Sequence, residues 1–226
     1  MGWFQLDPES IAQRAQTTAA PTLSASICRG VIGFTLVSIA GFLPWGVFGR
    51  WFRGPNGELT MYIVCAVVFV VLSGLLLHRL ILGTGSLSRF YKLFTIAFTA
   101  YSIAWIAGWM ILRGHLGSVA GLLAGTAVMG VILCLAFDAL GQLGKVIAAL
   151  FVFNALGYFI GGEIEVALIH MPSLSIGGTV LARSTQVMIA MMQWGVCYGI
   201  GLGAGLGIAF HLCQSRARAL MLARSA

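Results

Sequence analysis

Six stretches of the chain, 31–49, 61–77, 93–112, 116–137, 146–162 and 187–210, contain no Asp, Glu, Lys, Arg or His. A helix rising ~1.5 Å per residue needs about 20 mainly apolar residues to cross a bilayer core. With their flanks, the stretches predict spans at 30–49, 60–82, 90–112, 116–140, 145–169 and 186–212. In lipid the backbone must satisfy its own hydrogen bonds, so each span reads as a helix. The expected fold is all-α: a polytopic membrane protein built as a bundle of about six transmembrane helices. An N-terminal segment, 1–29, precedes the bundle, and a basic tail, 213–226, follows it. Only 8% of the 226 residues are charged, against roughly 25% in a soluble domain. Such a chain cannot cover a globular surface in water, so the lipid bilayer is its expected partner.

Positive charge in the connections sets the orientation. With the N-terminus inside, the cytoplasmic segments hold Arg14, Arg29, Arg79, Arg89, Lys92, Lys145, Arg216, Arg218 and Arg224. The other side holds Arg50, Arg53, Arg113 and Arg183. Nine against four places both termini in the cytoplasm, which an even number of spans allows. Trp45, Trp51, Trp105, Trp109 and Trp194 then fall in the outer half, where the amphipathic indole prefers the interface. The expected location is an integral position in a membrane, a bacterial cytoplasmic (inner) membrane in particular. The net charge of +7 comes from Lys and Arg scattered singly, with no basic run, so no nucleic-acid partner is expected.

Smaller signals fill in the connections. Asp7-Pro8-Glu9 has the form of a helix start; with Trp3, Phe4, Leu6 and Ile11 nearby, it predicts a short helix on the inner surface. Met1 to Arg29 lacks the basic start and apolar run of a cleavable leader. The segment 53–57 reads as an external turn, and Met171 to Ser184, with Gly177-Gly178, as the longest external loop. Cys28, Cys65, Cys134, Cys197 and Cys213 form no C-x-x-C pair and read as packing residues. Asp138 and Lys145 face each other across the turn between the fourth and fifth spans and predict an ion pair of little energetic weight.

Glycine gives the most specific pattern. Gly195, Gly199, Gly203 and Gly207 recur every four residues along one face of the last span. Gly117, Gly121 and Gly125 do the same in the fourth. Small residues let helix backbones approach closely where lipid offers no hydrophobic drive. The fourth and sixth spans should each make a close helix contact, with each other as one option. The Gly195–Gly207 face is also a candidate docking surface for a second copy or for partner membrane subunits. A phosphate-cradling loop is not expected, because helical N–H groups are already bonded.

No nucleophile–base pair, cofactor motif or metal-ligand spacing is legible, and none is predicted. The candidate substrate-binding residues are Asn154, Tyr158, Gln193 and Trp194, which lead inward from the outer side, with His115, Glu163 and His170 at the rim. An amide at membrane depth must face protein, water or a solute. Glu163 and His170 are seven apart and share a face if the fifth span stays helical past Gly161-Gly162. His78, His115, His170 and His211 equal in number the axial ligands of six-helix cytochromes of the b561 type, but stand at the rims, and the resemblance stops there. The run Arg113-Gly114-His115-Leu116-Gly117-Ser118 resembles the His-bearing helix of rhomboid proteases. The G-x-S-x motif of that family is missing upstream, where Leu72-Ser73-Gly74 stands. The leading expectation is a small passive or weakly coupled transporter or channel for a neutral or amphipathic solute. The alternatives are an accessory subunit of a larger membrane complex and a membrane redox protein or enzyme.

Overall fold

The computed structural model describes residues 4–15 and 20–225, so Trp3 lies outside the described residues. Six helices are long and apolar enough to cross a membrane. They are α2 (Leu23–Gly46), α3 (Gly57–Leu77), α4 (Ser86–Leu112), α5 (Gly114–Ala136), α6 (Leu143–His170) and α7 (Arg183–Cys213). Two shorter helices, α1 (Pro8–Arg14) and α8 (Ser215–Ser225), pack against each other. The first and last helices therefore lie at one end of the molecule. Single 3₁₀ turns at Gly49–Trp51, His78–Leu80 and Leu140–Gln142 tighten three of the connections.

Local chemistry explains several helix ends. Asp7 caps α1, its Oδ1 accepting from Ser10 N–H at 2.9 Å with Pro8 in the first turn. Thr22 caps α2, its hydroxyl accepting from Ala25 N–H at 3.2 Å, so this helix starts before the apolar stretch at 30. The carbonyl end of α6 is held by α7: Arg183 donates to the carbonyls of Met171 and Ile169, and Gln186 to those of Leu168 and Met171. A cation there also complements the negative end of the helix dipole. The loop between them is more ordered than a turn-rich linker. Ser175–Ile176 pairs antiparallel with Thr179–Val180. Gly177 and Gly178, at φ +60° and +83°, supply the left-handed pair that a two-residue hairpin needs.

The glycine faces set the packing. Helix α7 is clasped on one side by α2 and on the other by α6. A methyl group at Gly203 would stand 2.5 Å from the Gly30 carbonyl oxygen, and one at Gly207 2.5 Å from that of Ser26. Gly199 meets Thr35 and Ser38, and Gly195 meets the Phe42 ring. On the other side Gly201 meets Phe153 and Gly157, and Gly205 meets Leu150. The α5 glycines close against α4: Gly121 on the Trp105 carbonyl and Gly125 on Tyr101. Both expected close contacts exist, but not with each other; α7 pairs with α2 and α6, and α5 with α4. The Gly195, Gly199, Gly203 and Gly207 face is occupied by α2 of the same chain.

Rings fill the space between the two glycine-packed groups. Phe210, Phe90, Phe94, Phe98 and Tyr101 form a continuous stack with centroids 5.1–5.8 Å apart. Phe34 from α2 touches Phe69, Phe94, Phe98 and Tyr198. The short helix expected after Asp7 forms, and its apolar side turns toward the protein, with Leu6, Ile11 and Ala15 buried and α8 packed against it. One further expectation is corrected. Asp138 pairs with Arg216 of α8 at 3.3 Å rather than with Lys145, and Arg216 also reaches Glu9 at 3.8 Å. The final turn of α5 brings Asp138, at φ +51°, toward α8 instead of along α6.

Candidate functional site

Three helices bring polar side chains to one level of an otherwise apolar interior. Tyr101 from α4, Asn154 from α6 and Tyr198 from α7 are all buried. Asn154 Nδ2 donates to the Tyr101 hydroxyl at 2.9 Å, and the Tyr101 and Tyr198 hydroxyls stand 3.3 Å apart. Asn154 Oδ1 is buried with no hydrogen-bond partner among the described residues. An amide oxygen without a partner in so apolar a setting costs free energy.

One helical turn away, the same helices supply a second level. Residues four apart share a helix face, so Trp105 lies beyond Tyr101, Tyr158 beyond Asn154, and Trp194 beyond Tyr198 on the oppositely stepped α7. The rings touch edge to face: Trp105 to Tyr158 at 6.2 Å and Tyr158 to Trp194 at 5.4 Å. Trp194 Nε1 donates to the Tyr158 carbonyl at 3.0 Å, and the Tyr158 hydroxyl lies 3.5 Å from Ser118 Oγ. Trp105 Nε1 is again a buried polar atom without a partner. In the opposite direction the next residues are Ala97, Leu150 and Leu202, all buried. The polar column thus ends on a hydrophobic floor.

The seven residues expected at the site do not all come together. Asn154, Tyr158 and Trp194 belong to the column. Gln193 stands beside it, donating to Cys197 Sγ at 3.0 Å and leaving Oε1 buried and unpartnered. His115, Glu163 and His170 stay exposed at the rim. His115 lies 6.4 Å from the Phe159 ring. Helix α6 does run unbroken through Gly161-Gly162, yet His170 Nδ1 engages its own helix at the Val166 carbonyl, 2.8 Å away. Among the described residues, no group of three or more His, Cys, Asp or Glu is gathered as a metal site.

Tyr101 and Tyr198 were missed by sequence reasoning. A tyrosine inside a span is an unremarked aromatic residue until its hydroxyl is seen to have a polar neighbour. The usable signal was a hydroxyl-bearing ring at the centre of a stretch with no charge. No protein-family model, curated protein or solved structure matches the chain.

Proposed function

We propose that this chain is a small passive or weakly coupled transporter or channel for a neutral or amphipathic solute. Tyr101, Asn154, Tyr158, Trp194 and Tyr198 form its binding surface in this reading. The observation that carries it is Asn154, a fully buried carboxamide whose oxygen has no partner among the described residues. A solute O–H or N–H would satisfy that oxygen, and the surrounding ring faces would cover the apolar part of the same molecule. The absence of charge from the span centres favours a neutral solute and leaves no buried carboxylate to couple it to protons or sodium. The charge count of the connections supports a cytoplasmic membrane, bacterial in our reading, with both termini inside.

The test is solute flux into proteoliposomes, with glycerol, urea and water as probes followed by stopped-flow light scattering. Wild-type vesicles should equilibrate one probe faster than empty vesicles, and Asn154→Leu should remove the difference while the protein stays folded. Equal rates for wild type and Asn154→Leu would sink the assignment.

A role as accessory subunit is the second reading. In this structure α2 covers Gly195, Gly199, Gly203 and Gly207, so a second copy or a partner subunit would have to dock on other surfaces. Redox or enzymatic use of the rim histidines draws no support from their settings: His78, His170 and His211 each lie against a group of their own surroundings, at Gly74, Val166 and Ser26.

A further inference from the structure

At the end of the molecule that carries α1 and α8, a cleft of ≈ 220 Å³ opens between the segment before α1 and the start of α4. It is several times the ≈ 30 Å³ share of a water in the liquid. Phe4, Gln5, Gly85, Ser88, Arg89 and Lys92 line it, and the charged side chains among them are both cations.

The arginine is held in place. Arg89 Nη1 donates to the carbonyls of Gly85 at 2.7 Å and Thr84 at 3.3 Å, and Nη2 donates to Gln5 Oε1 at 3.2 Å. Gln5 adopts a left-handed backbone, φ +51°, uncommon for a side chain without a turn role. Its carbonyl accepts from Arg14 Nη2 at 2.5 Å. Arg14 thus stands directly behind the cleft. Burial, and after it the charge of Arg89, hold its guanidinium below the usual arginine range. Among the described residues, the Nε atoms of Arg14 and Arg89 are both buried without an acceptor.

Carboxylates nearby are committed elsewhere. Asp7, the acid that acts on Arg14, caps α1 through Ser10, and Glu9 pairs with Arg216. Helix α4 starts at the same place, and its N-cap, Gly85, has no side chain to accept from the first-turn amides. Those amides lack partners within the helix and carry the positive end of its dipole. Two guanidiniums, an ammonium and a helix N-terminus gathered here repel one another; Asp7, which caps α1, offsets them only in part, and an anion in the cleft would relieve the repulsion.

We propose that this cleft binds a phosphate group. Lys92 is its adjustable point charge and Ser88 a hydroxyl donor; Arg89, fixed on Gly85, Thr84 and Gln5, adds its charge and its remaining Nη2 hydrogen, and the first-turn amides of α4 complete the cradle. Ser88 and Lys92 are exposed, so the phosphate can belong either to a lipid headgroup or to a free phosphate ion or ester.

Native mass spectrometry and thermal unfolding of the detergent-purified full chain test this, with inorganic phosphate and phosphatidylglycerol as probes and phosphatidylcholine as the neutral-headgroup comparison. Wild type should retain phosphate or phosphatidylglycerol in preference to phosphatidylcholine and gain thermal stability with it. Arg89→Gln/Lys92→Gln should weaken retention about tenfold or more, the scale of losing charged hydrogen bonds. Lys92→Gln alone, at an exposed position, should weaken it in the same direction without harming the fold. Arg50→Gln/Arg53→Gln removes the same charge at the opposite end and should leave binding unchanged. Retention of phosphatidylglycerol alone identifies a lipid site, and retention of phosphate identifies a soluble ligand. Retention of neither, or equal loss in both double variants, overturns the proposal.

Discussion

Asn154 donates to the Tyr101 hydroxyl at 2.9 Å while its own carbonyl oxygen stays unpartnered. Asn154→Leu conserves volume, removes the donor and leaves Tyr101 its contact with Tyr198. Interhelical hydrogen bonds in membranes average ~0.6 kcal/mol and seldom exceed about 2. Stability should therefore fall by roughly 1 kcal/mol or less, measured by unfolding in detergent, while flux is lost. A large drop in stability would make Asn154 a structural residue first.

Gly203 and Gly162 should respond oppositely to an added methyl group. At Gly203 it would meet the Gly30 carbonyl at 2.5 Å, backbone against backbone, so α2 and α7 must separate. Gly203→Ala should cost about 1–3 kcal/mol, the usual scale of overpacking. At Gly162 nothing stands within 4 Å, and Gly162→Ala should stabilise by about 0.5–1 kcal/mol through the reduced entropy of the unfolded chain. Thermal denaturation of both variants checks the pair.

Gln214 is a buried bracket between the start of α8 and the α3–α4 connection. Its Oε1 accepts from Leu82 N–H at 2.8 Å, and its Nε2 donates to the Leu80 and Phe210 carbonyls at 2.8 and 2.9 Å. Gln214→Leu orphans the buried Leu82 amide, at a cost of about 1–3 kcal/mol. Amide exchange should speed up at Leu82 before it does in the spans.

Arg216 should matter far less, although it touches two acids. The side chains of Arg216, Glu9 and Asp138 are 64%, 61% and 68% exposed. Exposed pairs are worth about 0–1 kcal/mol and weaken with salt. Arg216→Ala should change stability by less than about 1 kcal/mol, and the change should shrink further in high salt.

Acid should loosen α1. Burial pushes the Asp7 carboxyl up, but hydrogen bonds from Ser10 and the charge of Arg14 outweigh it and hold the group below its ordinary 3.8. A carboxyl depressed in the folded state contributes stability that is full above the unfolded value and is lost as pH falls through the folded one. Exchange of the α1 amides should therefore rise as pH drops below about 4, and Asp7→Asn should remove that dependence.

The spans were legible because charge is forbidden at membrane depth, and its absence is easy to read. Their ends were less so. Arg29 looks like a boundary, yet it is an exposed side chain on the second turn of α2, where a long arginine reaches outward from a helix that continues. The glycine faces announced close contacts, but a repeat of four residues names a face and not the neighbour that fills it. Hence a contact between α5 and α7 stood open as one option, when Trp105 and Tyr101 of α4 receive the α5 glycines. The site was half legible: amides stand out in an apolar span, whereas Tyr101 and Tyr198 declare themselves only through the distance between their hydroxyls. His115, Glu163 and His170 were grouped with the amides by side alone, and sharing a side does not bring groups into contact.

Helix α7 is the last of the six to leave the ribosome, and it is the one around which two others close. Until it is made, Gly30 on α2 and Gly157 on α6 have no surface to bury against. Helices α2 and α6 must wait for α7 to join them, whereas α4 and α5 can already close on each other through the α5 glycines. A substitution in that sixth helix would then act on biogenesis before it acts on the finished protein, lowering the amount that survives quality control more than the activity of each surviving molecule.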